Sequence, residues 1–111
     1  MLKEYTFKQP DDWHLHLRDH HIMRAVLPFS ARVFRRAIVM PNLSPPVYSA
    51  EDALAYRNRI IDALPTGVNF TPLMTAYLAD HTDPDDLITA FKNKIFTAAK
   101  IIAIKPKILE T

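Results

Sequence analysis

The chain contains no cysteine, which excludes disulfides and thiolate metal sites and leaves histidine, carboxylates and modified lysine as the possible metal ligands. It also lacks any run approaching the ~20 apolar residues that span a bilayer, and Met1 to Gln9 is mixed and charged rather than a signal sequence. A chain that is neither exported nor membrane-bound is expected, and a cytoplasmic location fits. Charge of one sign is scarce as well. The net charge is +2, with Lys and Arg interspersed among Asp and Glu up to about residue 90, so no basic stripe forms that would track phosphates. Nucleic acid is therefore not an expected partner.

What is present reads as an ordinary globular protein: 111 residues, 49% hydrophobic and 23% charged. One domain is expected, and one this short buries a small share of its surface, so a partner or a metal would add materially to its stability. Short strands alternate with helices along it. Trp13, Leu15 and Leu17 fall on one face of a first strand, with His14, His16 and Arg18 on the other. A helix over residues 21–33 follows, with Pro28 expected to kink or divide it. Residues 37–40 form a buried parallel strand ending at Pro41 and Asn42. Ser49 and Asp52 make a capping-box start to a helix whose apolar face is Ala53, Leu54, Ile60, Ile61 and Leu64, ending near Pro65 and Gly67. A third strand is expected over residues 68–73, with Pro72 near its end. Asp83 and Pro84 then open a helix to about Lys92, with Leu87, Ile88 and Phe91 facing inward, and residues 95–100 make a fourth strand.

Strands recurring roughly every 25 to 30 residues with a helix between each pair are the rhythm of right-handed βαβ units. The expected fold class is α/β, about four parallel βα units, equal to the first half of an eight-unit (β/α)8 TIM barrel, which typically takes ~250 residues. Such a half would leave two open strand edges. A small open α/β sheet is the alternative.

Two histidines at i and i+2 on a strand point the same way, so His14 and His16 are candidate ligands of one metal ion, although a wet strand face also carries polar residues for no special reason. Their surroundings, DDWHLHLRD at residues 11–19, resemble the dihydroorotase family, in particular its single-function bacterial type within the amidohydrolases. The resemblance extends over essentially residues 5 to 100 and includes MPNLSPP at residues 40–46 and FTAAK at residues 96–100. It implies a zinc-dependent hydrolase that interconverts N-carbamoyl-L-aspartate and L-dihydroorotate, a small-molecule step of pyrimidine biosynthesis. It further implies that His14 and His16 bind one zinc, that Lys100 as a carbamate bridges two zinc ions, and that Arg18 and Asn42 hold the substrate carboxylate. Asp12 is a candidate to orient an imidazole from behind. Each also has a plainer reading: Arg18 as a surface ion pair with Asp19 or Asp11, Asn42 as a turn residue, Asp12 as a solvated carboxylate, Lys100 as a lysine extending from a strand end.

After Lys100 the resemblance stops. The expected division is a dihydroorotase-like half-barrel over residues 1–100 and a divergent tail over residues 101–111, reading IIAIKPKILET, which we attribute to a shifted reading frame or a gene break. Family-like codons absent from every downstream frame would count against that origin. The family draws two more histidines and a general-base Asp from its second half, so no catalytic residue is expected within this chain and the isolated chain is expected to be inactive. His20, His21 and His81 do not match family ligands. The alternative function is a noncatalytic remnant or interaction module that pairs through its open sheet edges, including with a second copy as a homodimer. A hydantoinase or allantoinase shares the His-x-His strand, but DDWHLHLRD with MPNL argues against it.

Overall fold

A computed structural model describes residues 9–101; the tail beyond residue 101 lies outside them. Four strands alternate with three helices: β1 (Asp11–Leu15), α1 (His20–Val33), β2 (Arg36–Val39), α2 (Ala50–Ala63), β3 (Thr71–Tyr77), α3 (Pro84–Lys92) and β4 (Phe96–Lys100). All neighbouring strands are parallel, in the order β1-β2-β3-β4. The expected α/β class is therefore observed, with three complete βα units and a fourth parallel strand among the described residues. Parallel neighbours need a crossover, and each helix supplies one.

The helix ends follow their capping chemistry. Ser49 Oγ accepts from the Asp52 backbone while Asp52 reaches back to the Ser49 N–H, a reciprocal capping box. Asp83 caps α3 with Pro84 in its first turn, and Asp19 caps α1 by accepting from His20 N–H. α1 runs unbroken through Pro28, contrary to the expected division. Its buried side holds Met23, Leu27 and Ala31, and packing of that side outweighs the single backbone bond that proline removes.

The third strand lies later than expected, at Thr71–Tyr77. Pro72 sits near its start instead of its end. Thr71 N–H bonds to Arg35 C=O on the β2 side, so the missing Pro72 donor faces the β4 side, where pairing begins only at Met74 opposite Phe96. No ladder bond is lost there.

The core lies between the helices and one sheet face. Ala37, Val39, Met74, Ala76 and Phe96 from the strands meet Met23, Leu27, Ala31, Ala53, Tyr56, Ile60 and Ala90 from the helices. The inward set on α2 differs from expectation: Tyr56 is fully buried, whereas Leu54 and Ile61 are exposed. On α3 it is Ala90 that is buried, with Ile88 and Phe91 exposed. A second apolar stripe on α1, Ile22, Val26, Phe29 and Val33, also faces outward, as does Trp13, 57% exposed. Among the described residues β1 and β4 each have a strand on one side only, which leaves their outer backbone groups open to a further strand.

Candidate active site

Two irregularities in the sheet decide where the chemical groups point. In β4, Phe96 is level with Met74 but Ala98 is level with Thr75, so one extra residue is inserted at Thr97. Phe96 faces the helices with Met74; after the bulge Ala98 and Lys100 face the other way, with Thr75 and Tyr77. Without that insertion Lys100 would enter the helix layer. In β1 a corresponding shift places both Asp12 and Leu15 on the helix-side face of Ala37 and Val39. Trp13 therefore does not share a face with Leu15 as the simple alternation predicts. It stands at the edge, with the Arg36 guanidinium 5.8 Å from its ring centroid.

His14 and His16 flank Leu15 and so project from the face opposite the helices, the same face as Lys100. Their Nε2 atoms are 3.0 Å apart. Two nitrogens bound to one tetrahedral zinc at ~2.0–2.1 Å would lie roughly 3.3 Å apart, so the pair fits two corners of such a site with little rearrangement. Among the described residues no group of three or more His, Cys, Asp or Glu converges. The remaining corners have no carboxylate or imidazole donor there.

Lys100 Nζ donates to Asn42 Oδ1 at 2.9 Å, joining the end of β4 to the loop after β2. The His16 imidazole is held below its ordinary pKa, first by burial and then by the neighbouring His14, Lys100 and Arg18 charges. All five residues therefore gather at the C-terminal end of the sheet, where βα proteins place their sites. Asp12 reaches the backbone N–H of His14, 2.9 Å from Oδ1, and not a ring nitrogen. It orients the strand segment that carries the histidine.

The plainer pairings of Arg18 are not formed. Asp11 instead binds Arg36 and Asp19 binds Arg59. Sequence reading missed two other groups. Tyr56 donates from the core to the Arg18 carbonyl, a contact announced only by an aromatic on the buried stripe of α2. Thr75 is buried on the same sheet face as Lys100, and its Oγ1 has no partner among the described residues. His81 packs edge-on against Tyr48, with ring centroids 4.5 Å apart, and not against the histidine pair.

A parallel α/β sheet with its polar side chains collected at the strand ends has the architecture of TIM-barrel enzymes, of which four strands and three helices are described. Comparison with known proteins makes this specific. The chain is similar to the dihydroorotase of Jannaschia sp., 60% identical over 101 residues, covering 91% of this chain and 29% of the relative. It is 57% identical over the same extent to the dihydroorotase of Erythrobacter litoralis. Among solved structures it superposes on the Campylobacter jejuni dihydroorotase with a TM-score of 0.76 and 40% identity, covering 86% of this chain and 28% of that one. The Saccharomyces cerevisiae dihydroorotase, solved with 5-fluoroorotic acid, gives the same TM-score at 25% identity. No protein-family model matches. The resemblance to dihydroorotases, a family of hydrolases, thus runs through nine-tenths of the chain, which spans less than a third of its relatives' length.

Proposed function

We propose that the chain supplies the N-terminal ligands of a dihydroorotase-type site that hydrolyses and closes a cyclic amide between L-dihydroorotate and N-carbamoyl-L-aspartate. The convergence of His14, His16, Arg18, Asn42 and Lys100 at one end of one sheet face carries this reading. In it His14 and His16 would hold a zinc ion through neutral imidazoles, a state that the depressed His16 pKa favours. Lys100 would join them as a carbamate, formed when its unprotonated amine adds to carbon dioxide and releases a proton, and would offer its carboxylate oxygens as further metal donors. When bound, zinc supplies Lewis acidity to an amide carbonyl and lowers the pKa of water. The planar guanidinium of Arg18 pairs with both oxygens of the substrate carboxylate, and Asn42 contributes its amide. Asp12 keeps the His14 backbone in place from behind.

The general base and the further histidines belong in this reading to strands beyond the four described. The open edges of β1 and β4 and the uncovered α1 stripe are where such strands and helices would dock. The 111-residue chain alone is then inactive and holds zinc weakly, since two imidazoles are an incomplete coordination set. A second reading, favoured by the same open edges, is a noncatalytic module that pairs edge to edge with another chain or a copy of itself. The deciding experiment measures turnover of carbamoyl aspartate by the chain alone and after mixing with a polypeptide carrying the remaining βα units of the Jannaschia sp. relative. The catalytic reading expects turnover only in the mixture, lost with His14→Ala or His16→Ala. Turnover by the chain alone, or none in a stably assembled mixture with zinc and bicarbonate, contradicts it.

A further inference from the structure

Arg18 is the reading's carboxylate ligand, yet nothing on its own strand holds it in place: it lies beyond the end of β1, in the turn leading to α1. Its φ is +57°, and that of His20 is +49°. Side chains other than glycine adopt this left-handed region only where surrounding contacts enforce it. The enforcing contacts come from α2. Tyr56, fully buried, turns its hydroxyl out of the core to donate to the Arg18 carbonyl. One helical turn on, Arg59 donates from Nε and Nη2 to the two oxygens of Asp19, at 3.0 and 2.8 Å. Residues three apart on a helix share a face, so the pair grips two consecutive residues of the turn. Asp19 is also the N-cap of α1, which fixes the chain on the far side.

We infer that Tyr56 and Arg59 are positioning residues, a clamp from α2 that holds Arg18 in its left-handed conformation, with Asp19 extended beside it, and thereby aims the Arg18 guanidinium at the mouth beside His16. The clamp deepens the proposed function and rests on its assignment of Arg18 to the substrate carboxylate. Either contact by itself has an ordinary structural explanation, since buried hydroxyls need partners and surface carboxylates attract arginines. Their convergence on adjacent residues of one unfavourable turn does not. Burial first, and the Asp19 carboxylate next, push the Tyr56 hydroxyl far above its usual pKa, so it remains a donor at any working pH.

The test has two arms. In the 111-residue chain, amide hydrogen exchange is followed at residues 18–23 and, as a control, at residues 53–60. Tyr56→Phe, which keeps the ring and removes only the donor, is expected to speed exchange in the turn about five- to tenfold relative to the control. Arg59→Met should do the same, with partial rescue by Arg59→Lys; should Tyr56→Phe fail to fold, the Arg59 pair decides. Unchanged exchange in the turn overturns the clamp. In the mixed assembly, Tyr56→Phe is expected to raise KM for carbamoyl aspartate about five- to tenfold with a smaller change in kcat. In an Arg18→Met background that effect should vanish, because it acts through Arg18. Full additivity with Arg18→Met overturns the positioning role. Arg18→Met with an unchanged KM would instead remove the substrate reading, while the exchange result continued to stand for the clamp itself.

Discussion

Asp19 carries two loads at once, so replacing it separates them. Asparagine at this position keeps an N-cap acceptor for His20 N–H but loses the charge that pairs with Arg59; alanine loses both. The ion pair is bidentate but partly exposed, 39% at Arg59 and 19% at Asp19, so screening limits it to about 1 kcal/mol. The cap adds about 1 kcal/mol. For a domain of this size each kcal/mol moves Tm by roughly 4–8 °C. Asp19→Asn should therefore lower Tm by about that much at pH 7, and Asp19→Ala by roughly twice as much, read by circular dichroism on heating. Burial alone would raise the Asp19 pKa, but the Arg59 and His20 bonds outweigh it and hold it below the ordinary value. A carboxyl depressed in the folded state contributes its full stabilisation above the unfolded value near 3.9 and loses it as pH falls through the folded one. The wild-type chain should thus lose about 1 kcal/mol over that acid window which Asp19→Asn does not lose. A variant as stable as wild type at neutral pH, with the same slope below pH 4, would refute the account.

Further outcomes follow from single contacts. Ser49→Ala removes the capping box and should cost about 1 kcal/mol, seen as a lower urea midpoint with an unchanged m-value. Ile60→Ala, at a fully buried site, should cost 2–5 kcal/mol, enough to leave the chain partly unfolded at 25 °C by near-ultraviolet circular dichroism. Gly67 has φ +81° with open space around an added Cβ, so Gly67→Ala meets strain and no clash; about 1 kcal/mol of destabilisation is expected in urea. His16 should titrate by NMR below an ordinary imidazole, and Lys100→Met or Arg18→Met should each raise its midpoint. An immobile midpoint in both variants would mean that these cations do not share the mouth with His16.

Much of the architecture was legible in one dimension because it depends on local chemistry. Capping residues at Ser49, Asp52, Asp83 and Pro84 mark helix starts whatever the surroundings, and the strand–helix rhythm admits few topologies besides parallel βαβ units. The pairing of His14 with His16 also follows from the two-residue period of a strand. Burial was less legible. Pattern alone turned Leu54, Ile61, Ile88 and Phe91 inward, but which stripe of a helix is covered depends on the elements that lie beside it.

The side of the sheet on which Lys100 emerges was decided only in three dimensions. Counting by twos from Phe96 sends it into the helix layer; the residue inserted at Thr97 reverses that, and an insertion is defined only relative to the neighbouring strand. The grip of Tyr56 and Arg59 on residues 18 and 19 is of the same kind, linking positions about 40 apart through the packing of α2 on the β1–α1 turn. Local sequence thus determines the kinds of groups present and the elements that bear them, because propensity, capping and strand period act over a few residues. Their meeting at one mouth is a property of register and packing, which no short stretch of chain contains.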